Sequence, residues 1–192
     1  MDSNDFAKLL MAEDRKEWQN PEEIVNEMKI TEGSTVSDLG CGPGFFTIPL
    51  AGKLGTQGRV YAVDSDPVML DHLTANLEKI PQAERASVVV MEADVSNTRL
   101  PDHSVDLVFF ANVLHDLEDP RKFFGEVKRI LKADGSLVDI DWQKMETNGM
   151  GPHLEWRLSE NDSRKLLREN GFRINYALNA GPYHYGFLCK VL

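Results

Sequence analysis

The run Val36-Ser37-Asp38-Leu39-Gly40-Cys41-Gly42-Pro43-Gly44-Phe45-Phe46 constrains the fold more than any other stretch of the chain. A short apolar strand ends at an acid, glycines follow at alternate positions, and an apolar helix begins at once. This is the grammar of a nucleotide-binding βα turn. Gly40 allows the tight turn, Gly42 lets a ligand touch the backbone, and Gly44 lets the helix start close to the strand. The alternation continues beyond it. Hydrophobic patterning predicts strands at about 35–39, 59–63, 87–91, 105–111 and 136–142, with helices at about 44–54, 67–79 and 120–132. A polar loop at 143–158 and a helix ending near Asn170 come next. Strands at about 172–179 and 184–191 flank Gly181-Pro182 and read as an antiparallel hairpin. The fold class is therefore α/β, with a seven-stranded, mostly parallel sheet closed by an antiparallel C-terminal hairpin.

A dinucleotide turn requires G-x-G-x-x-G, with pyrophosphate on the helix N-terminus. Here the spacing is G-x-G-x-G, and Phe45 occupies the third dinucleotide position. No Lys-Ser or Lys-Thr follows the glycines, which removes a P-loop. Asp38, just before the loop, would repel a pyrophosphate and suits a cationic or amine-bearing ligand. S-adenosylmethionine (SAM) has that character: a sulfonium, an ammonium, a ribose and an adenine, and no phosphate. The strand Val60–Val63 ends at Asp64, 24 residues past Gly40, where an acid can accept from both ribose hydroxyls. Asp94, in the turn after Val88-Val89-Val90-Met91, is placed to accept from an adenine amino group, with the Val95 N–H beside it.

With these residues in place the chain resembles the class I SAM-dependent methyltransferases, and within them the small-molecule branch near the ubiquinone/menaquinone-biosynthesis-type enzymes. The resemblance rests on Asp38-Leu39-Gly40-Cys41-Gly42-Pro43-Gly44, Val63-Asp64-Ser65-Asp66-Pro67, Glu92-Ala93-Asp94, Leu100 to Asp106, Asn112-Val113-Leu114-His115 and Leu131 to Leu137, in the family's order from about 34 to 142. It implies a single Rossmann-like three-layer domain over 1–192. A helical lead-in would cover 1–30, the cofactor-binding half 31–142, and a substrate-side loop, helix and hairpin 143–192. It implies SAM as cofactor and S-adenosylhomocysteine as product. Asp38, Gly40, Cys41, Gly42 and Gly44 would line the methionine moiety, Asp64 the ribose, and Ser65, Asp94 and Val95 the adenine. Asn112 would bond the methionine end or satisfy local backbone.

Composition narrows the partners. The net charge is −10, and there is no basic stripe with interleaved aromatics, so a nucleic-acid substrate is not expected. The strand-four end reads Ala111-Asn112-Val113-Leu114-His115, without the Asn/Asp-Pro-Pro-Tyr element of methyltransferases that act on planar amines. No 18-residue apolar run predicts a membrane span, and the acidic, polar first residues do not read as a signal peptide. Two cysteines, 148 positions apart, give neither a disulfide framework nor a metal spacing, and too few thiols for an arsenite-type methyltransferase. The expectation is a cytoplasmic enzyme with a small-molecule methyl acceptor, no metal, and a homodimer left open.

Candidate catalytic residues are His115, His153, His184 and Tyr183, with Asp116 and Tyr185 as neighbours. In a strand, Tyr183 and Tyr185 would share one face and could form an aromatic wall, with His184 on the other. Trp18 would belong to a lid, or pin the first helices to the sheet. The histidines lack a short-range metal spacing. Two alternatives stand beside methyl transfer. One is a SAM-binding regulator without catalysis. The other is an NAD(P)-linked oxidoreductase, which needs a glycine at position 45 and a Tyr-x-x-x-Lys or His constellation.

Overall fold

The computed structural model describes residues 2–192. The chain opens with helix α1 (Ser3–Leu10), a short helix α2 (Arg15–Trp18) and α3 (Pro21–Glu27). Asn20 starts α3, its side chain accepting from the Glu22 and Glu23 N–H groups ahead of Pro21. Strand β1 (Thr35–Leu39), α4 (Thr47–Leu54), β2 (Arg59–Asp64), α5 (Pro67–Leu77), β3 (Ser87–Glu92), β4 (Val105–Ala111), α6 (Pro120–Ile130) and β5 (Leu131–Trp142) follow. The chain closes with α7 (Glu160–Glu169), β6 (Phe172–Leu178) and β7 (His184–Val191).

The seven strands lie in the order β3-β2-β1-β4-β5-β7-β6. The first five run parallel, and β7 pairs antiparallel with both β5 and β6. Strand order reverses between β1 and β4, so the crevice for a ligand opens there, outside the carboxyl ends of the strands. Adjacent residues of β4 show why the sheet needs cover on both faces. Phe109 packs with Ile24, Phe46 and Leu50 on one side, and Phe110 with Phe123, Phe124 and Phe172 on the other.

Two boundaries differ from expectation by three residues or more, each for a local reason. The helix after the glycines begins at Thr47 rather than 44, because Gly44 sits at φ +99° and the chain turns until Phe46. Pro49 consequently falls in the first turn, where no N–H is needed. Strand β5 begins at Leu131 rather than 136: Leu131 pairs with Val105, a bulge follows, and pairing resumes at Ser136 with Leu107. The short helix α2 carries no clear sequence signal.

Candidate active site

The glycine loop is fixed by its neighbours. The Gly40 and Cys41 N–H groups both donate to the Val63 carbonyl, at 2.8 and 3.0 Å, tying the loop to the end of β2. A Cβ on Gly40, at φ +73°, would lie 2.5 Å from a Val113 methyl, and one on Gly44 would lie 2.5 Å from Leu73. Both positions therefore need glycine for backbone angle and for close approach. Gly42 is different: its only neighbour would be Leu10 of α1, at 3.7 Å.

Acids surround this loop. Asp38 is buried at the end of β1, and its Oδ2 accepts from the Thr47 hydroxyl at 2.6 Å. Burial, countered in part by Thr47 and reinforced by the Asp64 charge, pushes its carboxyl up to about 7. Burial also raises the Cys41 thiol well above its ordinary value, so Cys41 is a small packed residue and not a thiolate. Asp64, at the end of β2, accepts from the Gly42 N–H through Oδ2 at 2.8 Å and from the Asp66 N–H through Oδ1 at 3.0 Å. Ser65 beside it is exposed. Asp94 is an exposed turn acid accepting from the Ser96 N–H, with Val95 half-buried next to it. Asn112 adopts φ +61° just past β4, and its Oδ1 is buried without a hydrogen-bond donor.

The donor set can be tested for fit to SAM on these atoms. A buried carboxyl with only a hydroxyl partner, an orphaned amide oxygen and a second carboxylate all accept hydrogen bonds. They suit an ammonium, a sulfonium and ribose hydroxyls, and they oppose a pyrophosphate. The residues present fit SAM.

On the acceptor side, His115 follows β4 on a single turn of 3₁₀ helix. Its Nδ1 lies 2.7 Å from Asp141 Oδ1, and its backbone N–H donates to Asp141 Oδ2 at 3.0 Å. The Trp142 N–H donates to the same Oδ1 at 2.7 Å. Asp141 is buried at the end of β5, so the strand fixes the carboxylate and the carboxylate fixes the ring. With Nδ1–H donated to Asp141, Nε2 is the free base, 3.4 Å from the exposed Asp116. Burial pulls the His115 pKa down, but Asp141 and then Asp116 outweigh it and hold it above the ordinary value. Sequence reasoning missed Asp141. Its signal was an acid within the apolar run Leu137-Val138-Asp139-Ile140-Asp141-Trp142.

The other candidates are scattered. Strand β7 starts at His184, so Tyr183 lies outside it, and the expected Tyr183–Tyr185 wall does not form. Tyr183 packs on Trp18 at 5.9 Å, whereas Tyr185 is buried on the other side against Phe187. His184 is 2% exposed and lies 5.8 Å from Trp18 and 4.2 Å from Trp142, with neither ring nitrogen partnered. Burial, then the charges of Arg15, Arg157 and His115, lower its pKa to about 3, so the ring is neutral at ordinary pH. His153 is exposed in the 143–158 loop, with Trp156 as its ring neighbour at 5.5 Å.

The N-terminal segment crosses both halves of the site. Asn4 meets His72 of α5 at 3.0 Å, and the Arg15 guanidinium sits 3.8 Å over the Phe45 ring while donating to the Leu10 carbonyl and Gln19. A Cβ on Gly181 would lie 2.0 Å from the Trp18 carbonyl, so only glycine lets α2 dock there. Arg157 bonds five oxygens, from Pro152, Gln143, Met145, Thr147 and Met150, and so shapes the 143–158 loop. Among the described residues no cluster of three or more His, Cys, Asp or Glu is arranged for a metal ion, and no helix is long and apolar enough to cross a membrane.

Comparison with known proteins places this geometry. A family model described as a methyltransferase domain matches residues 37–139. The solved structure of a SAM-dependent methyltransferase from Aquifex aeolicus is similar over 100% of both chains, with a TM-score of 0.90 and 32% identity. A demethylmenaquinone methyltransferase from Listeria welshimeri is 29% identical over 119 residues, 62% of this chain and 49% of its own. An uncharacterized 37.1 kDa protein in transposon TN4556 of Streptomyces fradiae is 32% identical over 124 residues, 64% of this chain and 34% of its own. The chain thus spans half or less of the length of these curated relatives.

Proposed function

The chain belongs to the class I SAM-dependent methyltransferases, with SAM as cofactor, and from that membership we propose that it transfers the methyl group to a small-molecule acceptor, with His115 as general base. The observation that carries the proposal is the His115–Asp141 pair at 2.7 Å, two residues past Val113, whose methyl packs against the glycine loop.

Asp38 and Asn112 would hold the cationic methionyl end. Gly42 is the least crowded glycine of the loop, and Asp64, already oriented by the Gly42 and Asp66 N–H groups, would take the ribose hydroxyls. Ser65, Asp94 and Val95 would edge the adenine. When bound, SAM supplies a methyl on a sulfonium, displaced in line to leave a neutral thioether, so no oxyanion needs stabilising. The protein's work is to orient the acceptor and exclude water, which can supply several kcal/mol. His115 Nε2 would take the acceptor's proton, and Asp141 would hold the tautomer and stabilise the imidazolium. Trp18 and Trp142 would wall the acceptor side, with His184 a neutral ring buried against them and not a base. His153 and Tyr183 take no catalytic part in this reading. Two free, buried cysteines suit a reducing compartment such as the cytoplasm.

The test is S-adenosylhomocysteine formation from SAM across a panel of hydroxylated, phenolic and amine acceptors. A reduced naphthoquinone heads the panel because curated relatives are named demethylmenaquinone methyltransferases. Acceptor-dependent product that disappears in His115→Ala supports the reading. SAM binding without turnover on any acceptor would favour a non-catalytic regulator.

A further inference from the structure

The methionyl end of SAM carries a carboxylate beside its ammonium, and the groups gathered at the glycine loop do not suit it. Asp38, Asp64 and the Asn112 Oδ1 all accept hydrogen bonds. The loop's own donors are spent. The Gly40 and Cys41 N–H groups go to the Val63 carbonyl, that of Gly42 to Asp64, and that of Gly44 to the Cys41 carbonyl. Pro43 has no N–H to give. A carboxylate placed at this loop needs donors from another element.

Helix α2 holds such donors next to the loop. The Arg15 guanidinium lies 3.8 Å from the ring centroid of Phe45, the residue that follows the glycines. Its Nη1 donates at 2.8 Å to the carbonyl of Leu10, whose side chain comes within 3.7 Å of where a Cβ on Gly42 would lie. Arg15 is 7% exposed, and no ion pair among the described residues includes it. Burial pulls its pKa down to about 10. The Leu10 carbonyl and the Phe45 face favour the cation, but a buried charge without a counter-charge is costly. Its donors are also incompletely used. Gln19 Oε1 takes the Arg15 Nε at 3.1 Å and Nη2 at 2.8 Å. With the Leu10 bond, that leaves two of a guanidinium's five N–H groups idle. Gln19 is itself fully buried, and its Nε2 has no acceptor. Unused donors of Arg15 and Gln19 therefore sit one helical turn apart on a charge that lacks its opposite.

We infer that Arg15, with the Gln19 amide beside it, binds the carboxylate of the cofactor's methionyl group, so that α2 is part of the cofactor site as well as a cover over it. The inference rests on the reading that sets the methionyl end at the glycine loop. The zwitterion then meets opposite charges from two elements, Asp38 of β1 for the ammonium and Arg15 of α2 for the carboxylate. A planar guanidinium fork matches carboxylate oxygens.

The experiment is calorimetric titration of the full chain with S-adenosylhomocysteine and with its decarboxylated analogue, which keeps the amine and lacks only the carboxylate. The unaltered chain should bind S-adenosylhomocysteine at least about tenfold more tightly than the analogue. Arg15→Met should weaken S-adenosylhomocysteine by about 10- to 100-fold and leave the analogue within about twofold, so the preference disappears. Gln19→Glu is the second variant and decides the question should Arg15→Met not fold. It gives Arg15 a carboxylate from within the chain, so the thermal midpoint should hold or rise while the preference for S-adenosylhomocysteine is lost. Equal weakening of both ligands in Arg15→Met would make Arg15 a merely structural residue and overturn the inference. A preference that survives in Gln19→Glu would place the carboxylate elsewhere and overturn it too. Tight and equal binding of both ligands to the unaltered chain would refute the carboxylate contact and leave the cofactor reading standing. Binding of neither would overturn both.

Discussion

The two halves of the active site are built on different principles. The core of the cofactor side is local and made largely of backbone: within a dozen residues it contains the strand end, the three glycines and the helix start, and Asp64, brought in from the next strand, is oriented by main-chain N–H groups. The acceptor side is made of side chains that meet from distant places. His115 depends on Asp141, 26 residues on, and His184 lies against Trp18 and Trp142 from opposite ends of the chain. A site of the first kind is written in consecutive letters. A site of the second kind exists only after folding.

That contrast breaks if the largest effects fall on the wrong side. His115→Ala should lower turnover by roughly 10²–10⁴-fold, the usual worth of a positioned base, and leave S-adenosylhomocysteine affinity within about twofold. Asp64→Ala should do the reverse. Loss of two charge-assisted hydrogen bonds predicts about 100-fold weaker S-adenosylhomocysteine binding by calorimetry. If His115→Ala weakens cofactor binding as much as Asp64→Ala does, the two halves are not separable and the assignment of roles fails.

Asp141→Asn sharpens the acceptor side. Asp141 raises the His115 pKa against the pull of burial, so the rate should rise through a pH above the ordinary 6.5 in the unaltered chain. In the variant, burial dominates and that limb should move to lower pH, with turnover down roughly ten- to hundredfold. Stability carries the same sign: the contribution of protonated His115 is fully present below about pH 6.5 and is lost as pH rises through the raised folded value. An unshifted pH–rate profile would mean that Asp141 is only structural. The smallest effect concerns His184. His184→Phe keeps a flat ring beside Trp18 and Trp142 and removes two unpartnered buried nitrogens, so thermal unfolding should show stability unchanged or raised by about 1 kcal/mol. A clear loss would reveal a hydrogen bond made through bound water.

The legibility of the fold follows the same division. The succession of strands and helices and the glycine turn were readable because hydrophobic period and glycine spacing are local signals. The 143–158 loop was readable only as a loop, because Arg157 organises it by reaching five oxygens across 15 positions of chain. Asp141 hid inside an apolar run, where an acid looks like the end of a strand. The Tyr183–Tyr185 alternation misled because β7 starts one residue after Tyr183, and alternation holds only within the strand.

The central claim is that the acids and amide around the glycine loop hold the cationic methionyl end of SAM, and proton-linked calorimetry tests it most directly. Asp38 is held at about 7 because the Thr47 hydroxyl offsets its burial only in part. A ligand ammonium placed beside it should drive its proton off. Titration with S-adenosylhomocysteine near pH 7, in two buffers of different ionisation enthalpy, should show release of about half a proton, absent in Asp38→Asn. Binding with no proton release, or the same release in Asp38→Asn, would contradict the placement of the methionyl group against Asp38.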